Sequence, residues 1–301
     1  MQNRKDCVVR GYEYSVDPDT GEAIATGVNV TAPLGTLFYT PEQQERYKQR
    51  KAREAERQAK AKAREIWRKS AGKFGFVSSE TSFEDISPST LTRLVYLATF
   101  LDYEGKLVTT QRKPMKRADL EIVLQISKAQ TYRFWNEVKE KYIHEDEHGQ
   151  LHMRKEFFTR GKLSLGGSFQ QVYSESVRKL YCETETRKHK YLGYVFQLLP
   201  FINVEYNLLC HNPYESNLEA VEPMTIGELC AAIGYSTENR ARLIDAYSAI
   251  TFPVEDGREC FCAFVTTGSK QSETKIFVNP RVLYHGKNAE QVQLLGKFCE
   301  Q

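Results

Sequence analysis

Polar and apolar positions alternate at the start of the chain. Residues 11–16 and 23–27 each alternate, and residues 17–22 between them contain the turn formers Pro18 and Gly21. This pattern is typical of a β-hairpin. The segment 1–40 is therefore predicted to hold a hairpin.

The next segment has a helical pattern with very little to bury. Thr40 can cap a helix and Pro41 suits its first turn, and a helix over 41–69 is predicted. Its apolar stripe is mostly alanine, too thin to bury well. The helix is either a solvated surface element or an arm that lies along phosphates. Its candidate phosphate contacts are Lys48, Arg50, Lys51, Arg53, Arg57, Lys60, Lys62 and Arg64.

Beyond a Ser-, Thr- and Gly-rich stretch over 70–82, interpreted as a linker, the apolar spacing becomes strongly helical. It predicts a helix from Ser87, a short strand over 106–108, and a helix over 115–126. Ser127 then caps a further helix, predicted over 128–142, and a hairpin over 143–153 turns at Gly149. This order matches a helix-turn-helix followed by a wing.

The same order recurs later in the chain. Residues 224–236 align without gaps on residues 115–127, and the apolar positions agree, as with Leu229 on Leu120. Upstream, the helical pattern over 191–199 resembles the one around Val95. Downstream, Arg160-Gly161-Lys162 and His285-Gly286-Lys287 end the two segments alike. These matches indicate an internal repeat.

The predicted fold class is α+β, mostly α, with tandem winged helix-turn-helix units, an N-terminal β-hairpin and a basic helical arm. The predicted domains are the hairpin segment 1–40, the arm and linker 41–82, a first winged-helix domain 83–168, a second winged-helix domain 169–290 and a tail 291–301.

Charge is distributed unevenly along the 301 residues. The net charge is only +3, yet residues 41–73 carry twelve Lys and Arg against five Glu. A polyanion is the expected partner. No apolar run approaches the roughly 20 residues that cross a bilayer, and no signal-peptide pattern opens the chain. A cytoplasmic protein with no membrane partner and with reduced thiols on its seven cysteines is expected.

The sequence patterns of common enzymes are missing. There is no Gly-rich loop ending in Gly-Lys-Ser or Gly-Lys-Thr for ATP, and no His-apolar-His pattern of a relaxase metal site. His144, His148 and His152 are evenly spaced, but the turn at Gly149 predicts that they belong to the wing. Cys260 and Cys262 lack a second ligand pair. We expect no enzyme activity, no cofactor and no metal.

The first helix-turn-helix has the residue types that bind DNA. Nine basic and four acidic residues fall within 106–142. The predicted phosphate contacts before and within its first helix are Arg112, Lys113, Lys116 and Arg117. The predicted base-reading or adjacent residues on its second helix are Ser127, Lys128, Gln130, Tyr132, Arg133 and Asn136.

The second helix-turn-helix differs in charge. Residues 211–259 contain nine acidic residues against three arginines, so this unit is expected to repel phosphates. Asn239 and Arg242 keep a DNA-reading role open. The apolar strand over 260–265 and the aromatic helix over 191–201 exceed what one small unit needs to bury. That surplus indicates a homodimer through the second unit.

The order of these elements, with Phe277-Val278-Asn279-Pro280 before the closing Gly286-Lys287, resembles the RepL-like replication proteins of Gram-positive plasmids and phages. It also resembles the wider MarR-like winged-helix group. The resemblance covers roughly residues 87–290 and does not include the basic N-terminal segment. It implies replication initiation at repeated origin sites on double-stranded DNA, with host replication proteins as further partners.

Three functions fit these observations. A replication initiator binds repeated origin sites, a transcriptional regulator occupies an operator, and an adaptor uses its winged helices to bind protein. The first two need the same kind of site recognition, and the residues do not separate them.

Overall fold

The computed structural model describes residues 7–16, 23–33, 41–78, 83, 85–161, 169–255, 257–266, 274–285, 295, 297 and 299. Backbone contacts divide the chain into residues 1–58 and residues 59–301. The architecture is α+β with small antiparallel sheets, as the coarse fold class predicted.

The N-terminal hairpin is confirmed. Strand β1 (Cys7–Val16) pairs antiparallel with β2 (Ala23–Pro33), and both are longer than predicted. Helix α1 (Pro41–Ala71) follows, close to the predicted 41–69. The hairpin turn and the proposed cap at Thr40 lie outside the described residues.

The first half of the unit 59–301 runs from strand β3 to strand β6. Its elements are β3 (Phe74–Ser78), α2 (Pro88–Ala98), α3 (Leu120–Leu124), α4 (Lys128–Val138), β4 (Ile143–Glu145), β5 (Leu151–Met153) and β6 (Phe158–Thr159). The helix predicted from Ser87 is α2, and the Ser87 hydroxyl caps it by accepting a hydrogen bond from the Thr90 amide. The predicted strand over 106–108 is present as isolated bridges.

The second half repeats this order with two additions, a helix after its first strand and an extra hairpin. Its elements are β7 (Phe169–Tyr173), α5 (Ser174–Glu183), α6 (His189–Gln197), α7 (Ile226–Ala232), α8 (Arg240–Ser248), β8 (Thr251–Val254), β9 (Gly257–Cys260), β10 (Cys262–Thr266), β11 (Thr274–Val278) and β12 (Leu283–Tyr284).

Two backbone hydrogen bonds recur at equivalent places in the two halves, around the bridged segments 106–108 and 208–210. In the first half, Met115 donates to the Leu107 carbonyl at 2.9 Å and Leu107 donates to Leu151 at 2.8 Å. In the second half, Met224 donates to Leu209 and Leu209 donates to Ile276, both at 2.9 Å. The internal repeat therefore extends to the hydrogen-bonding pattern.

The two halves share a single sheet and are related by an approximate two-fold axis. Its strand order is β12-β7-β3-β6, with β3 and β7 antiparallel at the centre. At one edge, Val77 of β3 pairs with Phe158; at the other, Val172 of β7 pairs with Leu283. Because Val77 corresponds to Val172 and Phe158 to Leu283, a half-turn about the centre maps each pair onto the other.

Helices α2 and α6 cross with the same symmetry. The Thr92 hydroxyl of α2 donates to the His189 carbonyl of α6 at 2.7 Å. Its counterpart Gly193 lies against Pro88, the counterpart of His189; a Cβ at Gly193 would stand 1.8 Å from the Pro88 carbonyl oxygen. Only glycine permits this approach. Such reciprocal contacts define an isologous interface, here within one chain.

One continuous core runs through both halves. Leu94 and Val95 of α2, Phe134 of α4, Phe196 of α6 and Leu243 of α8 are all buried in the same cluster. The predicted boundary between residues 168 and 169 is therefore spanned by a common core and a common sheet.

Several predicted elements need correction. The expected linker over 70–82 contains β3, a central strand. The helix expected over 115–126 is a 3-10 turn at 117–119 followed by α3. The helix expected to reach Tyr142 ends at Val138, because Lys139 is extended and Glu140 has a φ of 63°. The strand expected over 260–265 is divided by Phe261 into β9 and β10. The Gly-Lys endings and most of the tail 291–301 lie outside the described residues.

Candidate nucleic-acid interface

The turn between α3 and α4 is built from a left-handed residue and a capping box. Gln125 has a φ of 53°, and its counterpart Gly234 in the second half has a φ of 63°. The Ser127 hydroxyl accepts from the Gln130 amide at 3.4 Å, and the Gln130 side-chain oxygen accepts from the Ser127 amide at 3.2 Å. Both side chains thus hold the start of α4, and their predicted role in reading bases stays a prediction.

Helix α4 separates a core face from a solvent face. Phe134, Trp135 and Val138 are buried. The exposed side chains of the opposite face include Lys128, Tyr132, Arg133 and Asn136. Within the part of the chain that the structure describes, none of these four side chains makes a hydrogen bond or an ion pair. Their donors are free for an external partner.

The basic segment before α3 is also exposed. Arg112, Lys113, Lys116 and Arg117 all lie at the surface. The Arg117 guanidinium stands over the Trp135 ring of α4, with 5.3 Å between its central carbon and the ring centroid. This cation–π contact holds the Arg117 charge against the Trp135 side of α4. Arg117, one of the four predicted phosphate contacts, therefore packs against the helix that carries the predicted base-reading residues.

The hairpin β4–β5 is confirmed, with Gly149 at a φ of 75°. His144 and His152 face each other across it, with ring centroids 5.1 Å apart. The Asp146 carboxylate accepts from the His148 and Gln150 amides and lies 3.1 Å from His152 Nε2. The Gln150 amide and the His152 ring lower the pKa of Asp146 to about 2.

The hairpin tip is therefore acidic. Asp146 stays ionised, and Glu145 and Glu147 beside it are exposed. At its base, the buried Gln150 donates from Nε2 to the Leu107 carbonyl at 2.6 Å and the Leu151 carbonyl at 3.1 Å. This side chain fixes the hairpin on the segment 106–108, while the tip repels phosphates.

The second helix pair has the same core positions and a different surface. Leu243 and Tyr247 of α8 are buried like their counterparts Phe134 and Val138. Asn239 closes a 3-10 turn before α8, and Arg242 lies on its first turn; both are exposed. Glu238 in the same 3-10 turn and Asp245 on α8 are also exposed. The two predicted DNA contacts thus share their surface with two carboxylates.

The arm residues lie on α1. Lys48, Arg50, Lys51, Arg53, Arg57, Lys60 and Lys62 are exposed, and the Arg64 side chain lies outside the described residues. Arg50 and Lys51 each stand 5.9 Å from the Tyr47 ring centroid. By helical spacing, Arg50, Arg53, Arg57 and Lys60 fall on one face of α1 and Lys48, Lys51 and Lys62 on another.

A group of cations absent from the sequence prediction lines a cavity beside the basic segment. Lys73, Arg160 and Arg178 surround it together with Arg112. They come from distant parts of the chain, so no local spacing could have indicated them. Their positive charge is the one signal that the sequence offers for these residues.

Other chemistry is scarce. The described residues hold no group of three His, Cys, Asp or Glu placed to bind a metal ion, and none of the described helices is both long and apolar enough to cross a membrane. Cys182, Cys210, Cys230, Cys260, Cys262 and Cys299 are free thiols. In comparisons with known proteins, no family model, no curated protein and no solved structure matches the chain.

Proposed function

We propose that residues 74–285 form two winged-helix units related by an internal two-fold axis, and that the chain binds double-stranded DNA in a sequence-specific way through α4. One observation carries this proposal: the solvent face of α4 presents four unpartnered polar or cationic side chains directly after a capped turn. Helices of this kind enter the major groove in helix-turn-helix proteins.

Each winged-helix assignment rests on the order of elements. A helix is followed by a short strand, two helices joined by a left-handed turn, and an antiparallel hairpin. The repeated hydrogen bonds at Met115 and Met224 support the same assignment in both halves. Arg and Asn on α4 match guanine and adenine edges, respectively.

The internal two-fold axis bears on the biological role. A chain that contains both halves of a symmetric module can fill a two-part site without a second copy, so each repeat in an array of sites can take one chain. This property favours a replication initiator at repeated origin sites. The transcriptional regulator and the protein-binding adaptor are its alternatives. An initiator role would involve host replication proteins and a cytoplasmic location.

Some of the apolar surface that led to the expectation of a homodimer is buried by packing within the chain itself. Helix α6 packs on α2, and Phe261 and Cys262 are buried in the common core. We therefore expect a monomer of 34.7 kDa in solution. Light scattering coupled to size-exclusion chromatography measures this directly, and a mass of twice that value restores the homodimer.

Selection from a random double-stranded library tests the function. The full chain is expected to enrich one site, and Arg133→Ala is expected to weaken binding to it by about 1 to 3 kcal/mol while leaving binding to random DNA nearly unchanged. Lys179→Gln, on α5 away from α4, is the matched control. Enrichment of no sequence, or an equal loss on both DNAs, would reject base reading by Arg133.

The arm is proposed to add affinity without sequence preference. Neutralising Lys48, Arg50, Lys51 and Arg53 to Gln should reduce the slope of log affinity against log salt by up to roughly 3.6, at about 0.9 per lost phosphate contact. Replacing Glu45 and Glu54 by Gln is the control, since it removes charge of the opposite sign from the same helix. An unchanged slope in the fourfold variant would place the arm away from DNA.

A further inference from the structure

A cavity of about 610 Å³ opens between α2, α5 and the turn that precedes α3. Its size lies in the range of small-molecule sites. The residues that carry its chemistry are the cations Lys73, Arg112, Arg160 and Arg178, with hydroxyls from Thr109 and Ser174. The residues around it come from both halves of the repeat.

Two of these cations are fixed by neutral partners. Arg178 donates from Nε to the Thr99 hydroxyl at 2.9 Å and from Nη2 to the Thr99 carbonyl at 2.8 Å. Its guanidinium also stands 4.0 Å from the Phe100 ring centroid. Arg160 donates from Nη1 to the Leu101 carbonyl at 2.7 Å. These contacts position the two guanidinium groups without cancelling their charges.

One carboxylate lines the cavity against four cations, and it pairs with none of them. Asp102, the one acidic side chain among the lining residues, accepts hydrogen bonds from the Glu104 and Lys106 amides instead. Among the residues that the structure describes, none of the four cations forms an ion pair. Burial, together with the nearby charge of Arg160, lowers the pKa of Arg178. Like charges held close together in a partly buried place are unfavourable unless an anion joins them.

We propose that this cavity binds phosphoryl groups. The planar guanidinium of arginine pairs with phosphate oxygens through two parallel hydrogen bonds, and the hydroxyls add further donors. The phosphoryl group belongs either to a small phosphorylated ligand or to the DNA backbone. The binding itself does not depend on the proposed function; only the second source does.

Thermal unfolding of the full chain with pyrophosphate as the probe tests the site. At ten times the dissociation constant, pyrophosphate should raise the midpoint by about 3 to 5 °C above sodium chloride of equal ionic strength. Arg160→Gln should abolish this shift, and Arg160→Lys, which keeps the charge, should retain part of it. Lys179→Gln on the same helix as Arg178 should behave like the wild type. A shift no larger than that in chloride, or an equal shift in Arg160→Gln, overturns the proposal.

Competition then assigns the source. If pyrophosphate displaces the selected DNA from the wild type but not from Arg160→Gln, the site binds backbone phosphate. If pyrophosphate raises the midpoint without displacing DNA, the site belongs to a small ligand. A protein that binds no DNA still gives the thermal result, so failure of the proposed function and failure of this site are distinguishable.

Discussion

The two turn-linked helix pairs have equivalent cores and opposite surfaces. Phe134 and Val138 of α4 are buried like Leu243 and Tyr247 of α8. On the solvent face, Lys128 corresponds to Thr237 and Asn136 to Asp245, all of them exposed. The core determines that the second pair folds like the first, and the surface is free to carry another function.

The symmetric interface explains why this difference is tolerated. The symmetric contacts between the halves involve β3, β7, α2 and α6, which lie outside the two helix pairs, and the Tyr181 hydroxyl of α5 donates to the carbonyl of the buried Leu124 of α3 at 2.7 Å. Substitutions on the solvent faces of α4 and α8 therefore need not disturb how the halves pack. Under the proposed function, one half binds DNA while the other supports it or binds another partner.

The largest expected effect breaks the symmetric packing itself. Gly193→Val places side-chain atoms where the Pro88 carbonyl already stands, since even a Cβ would be 1.8 Å from its oxygen. The helices must separate, and we expect a loss of at least about 3 kcal/mol in the free energy of unfolding, or failure to fold. Thr92→Ala, at the counterpart position, removes one buried hydrogen bond and should cost about 1 to 3 kcal/mol.

Urea unfolding followed by circular dichroism compares the two variants. Gly193 and Thr92 are equivalent positions, but the helices approach more closely at Gly193. Stability should therefore be more sensitive to substitution at Gly193. A loss below about 1 kcal/mol for Gly193→Val would mean that α2 and α6 can separate at little cost in free energy. The isologous interface would then contribute little to stability.

The next effect compares the equivalent arginines of α4 and α8. Arg133→Ala should weaken binding to the selected DNA by about 1 to 3 kcal/mol. Arg242→Ala should cost less than about 0.5 kcal/mol, because Glu238 and Asp245 share its surface and disfavour phosphates. Fluorescence anisotropy at one fixed salt concentration measures both.

A gain-of-function variant sharpens the same comparison. Asp245→Asn recreates on α8 the residue that α4 carries at Asn136, and it removes a negative charge. If the second helix lies near DNA, affinity should rise in this variant and more so when Glu238→Ala is added.

Equal losses for the two arginine variants would show that both halves read DNA, contrary to the expectation from charge.

The sequence predicted best what depends on local pattern. The apolar spacing indicated α2, the Ser127 cap indicated the start of α4, and the gapless match of residues 115–127 to 224–236 indicated the repeat. Strand β3 was missed because its five residues include Gly75 and Ser78, which suggested a linker, and because its partner β7 lies far along the chain. Pairing between distant segments leaves no local signal.

The same limit applies to the candidate sites. The solvent face of α4 follows from helical periodicity, so Arg133 and Asn136 were found from spacing alone. The Ser127 cap was predicted, but the part that Gln130 takes in the same capping box was not, although the Ser-x-x-Gln spacing is a capping-box pattern. The cavity at Arg160 and Arg178 depends on the packing of α5 against α2 and had no sequence counterpart. The early end of α4 at Val138 likewise follows from tertiary packing, where the Tyr142 hydroxyl donates to Asp85 at 2.8 Å.

The smallest expected effect is at the left-handed residue of each turn. Gln125 and Gly234 occupy equivalent positions with φ values of 53° and 63°. A side chain in this region is disfavoured, whereas glycine adopts it readily. Gln125→Gly should therefore stabilise the chain, by no more than about 1 kcal/mol because glycine also gains entropy in the unfolded state. Gly234→Gln should destabilise it by a similar amount, since no atom within 4 Å of a Cβ there adds a clash.

Urea unfolding of the two variants and of the double exchange measures both changes. If the turns are equivalent, the effects are opposite in sign and nearly cancel in the double variant; a loss of stability in Gln125→Gly would mean that the contact of its side-chain amide with Cys182, 3.9 Å from Nε2 to Sγ, outweighs the backbone strain.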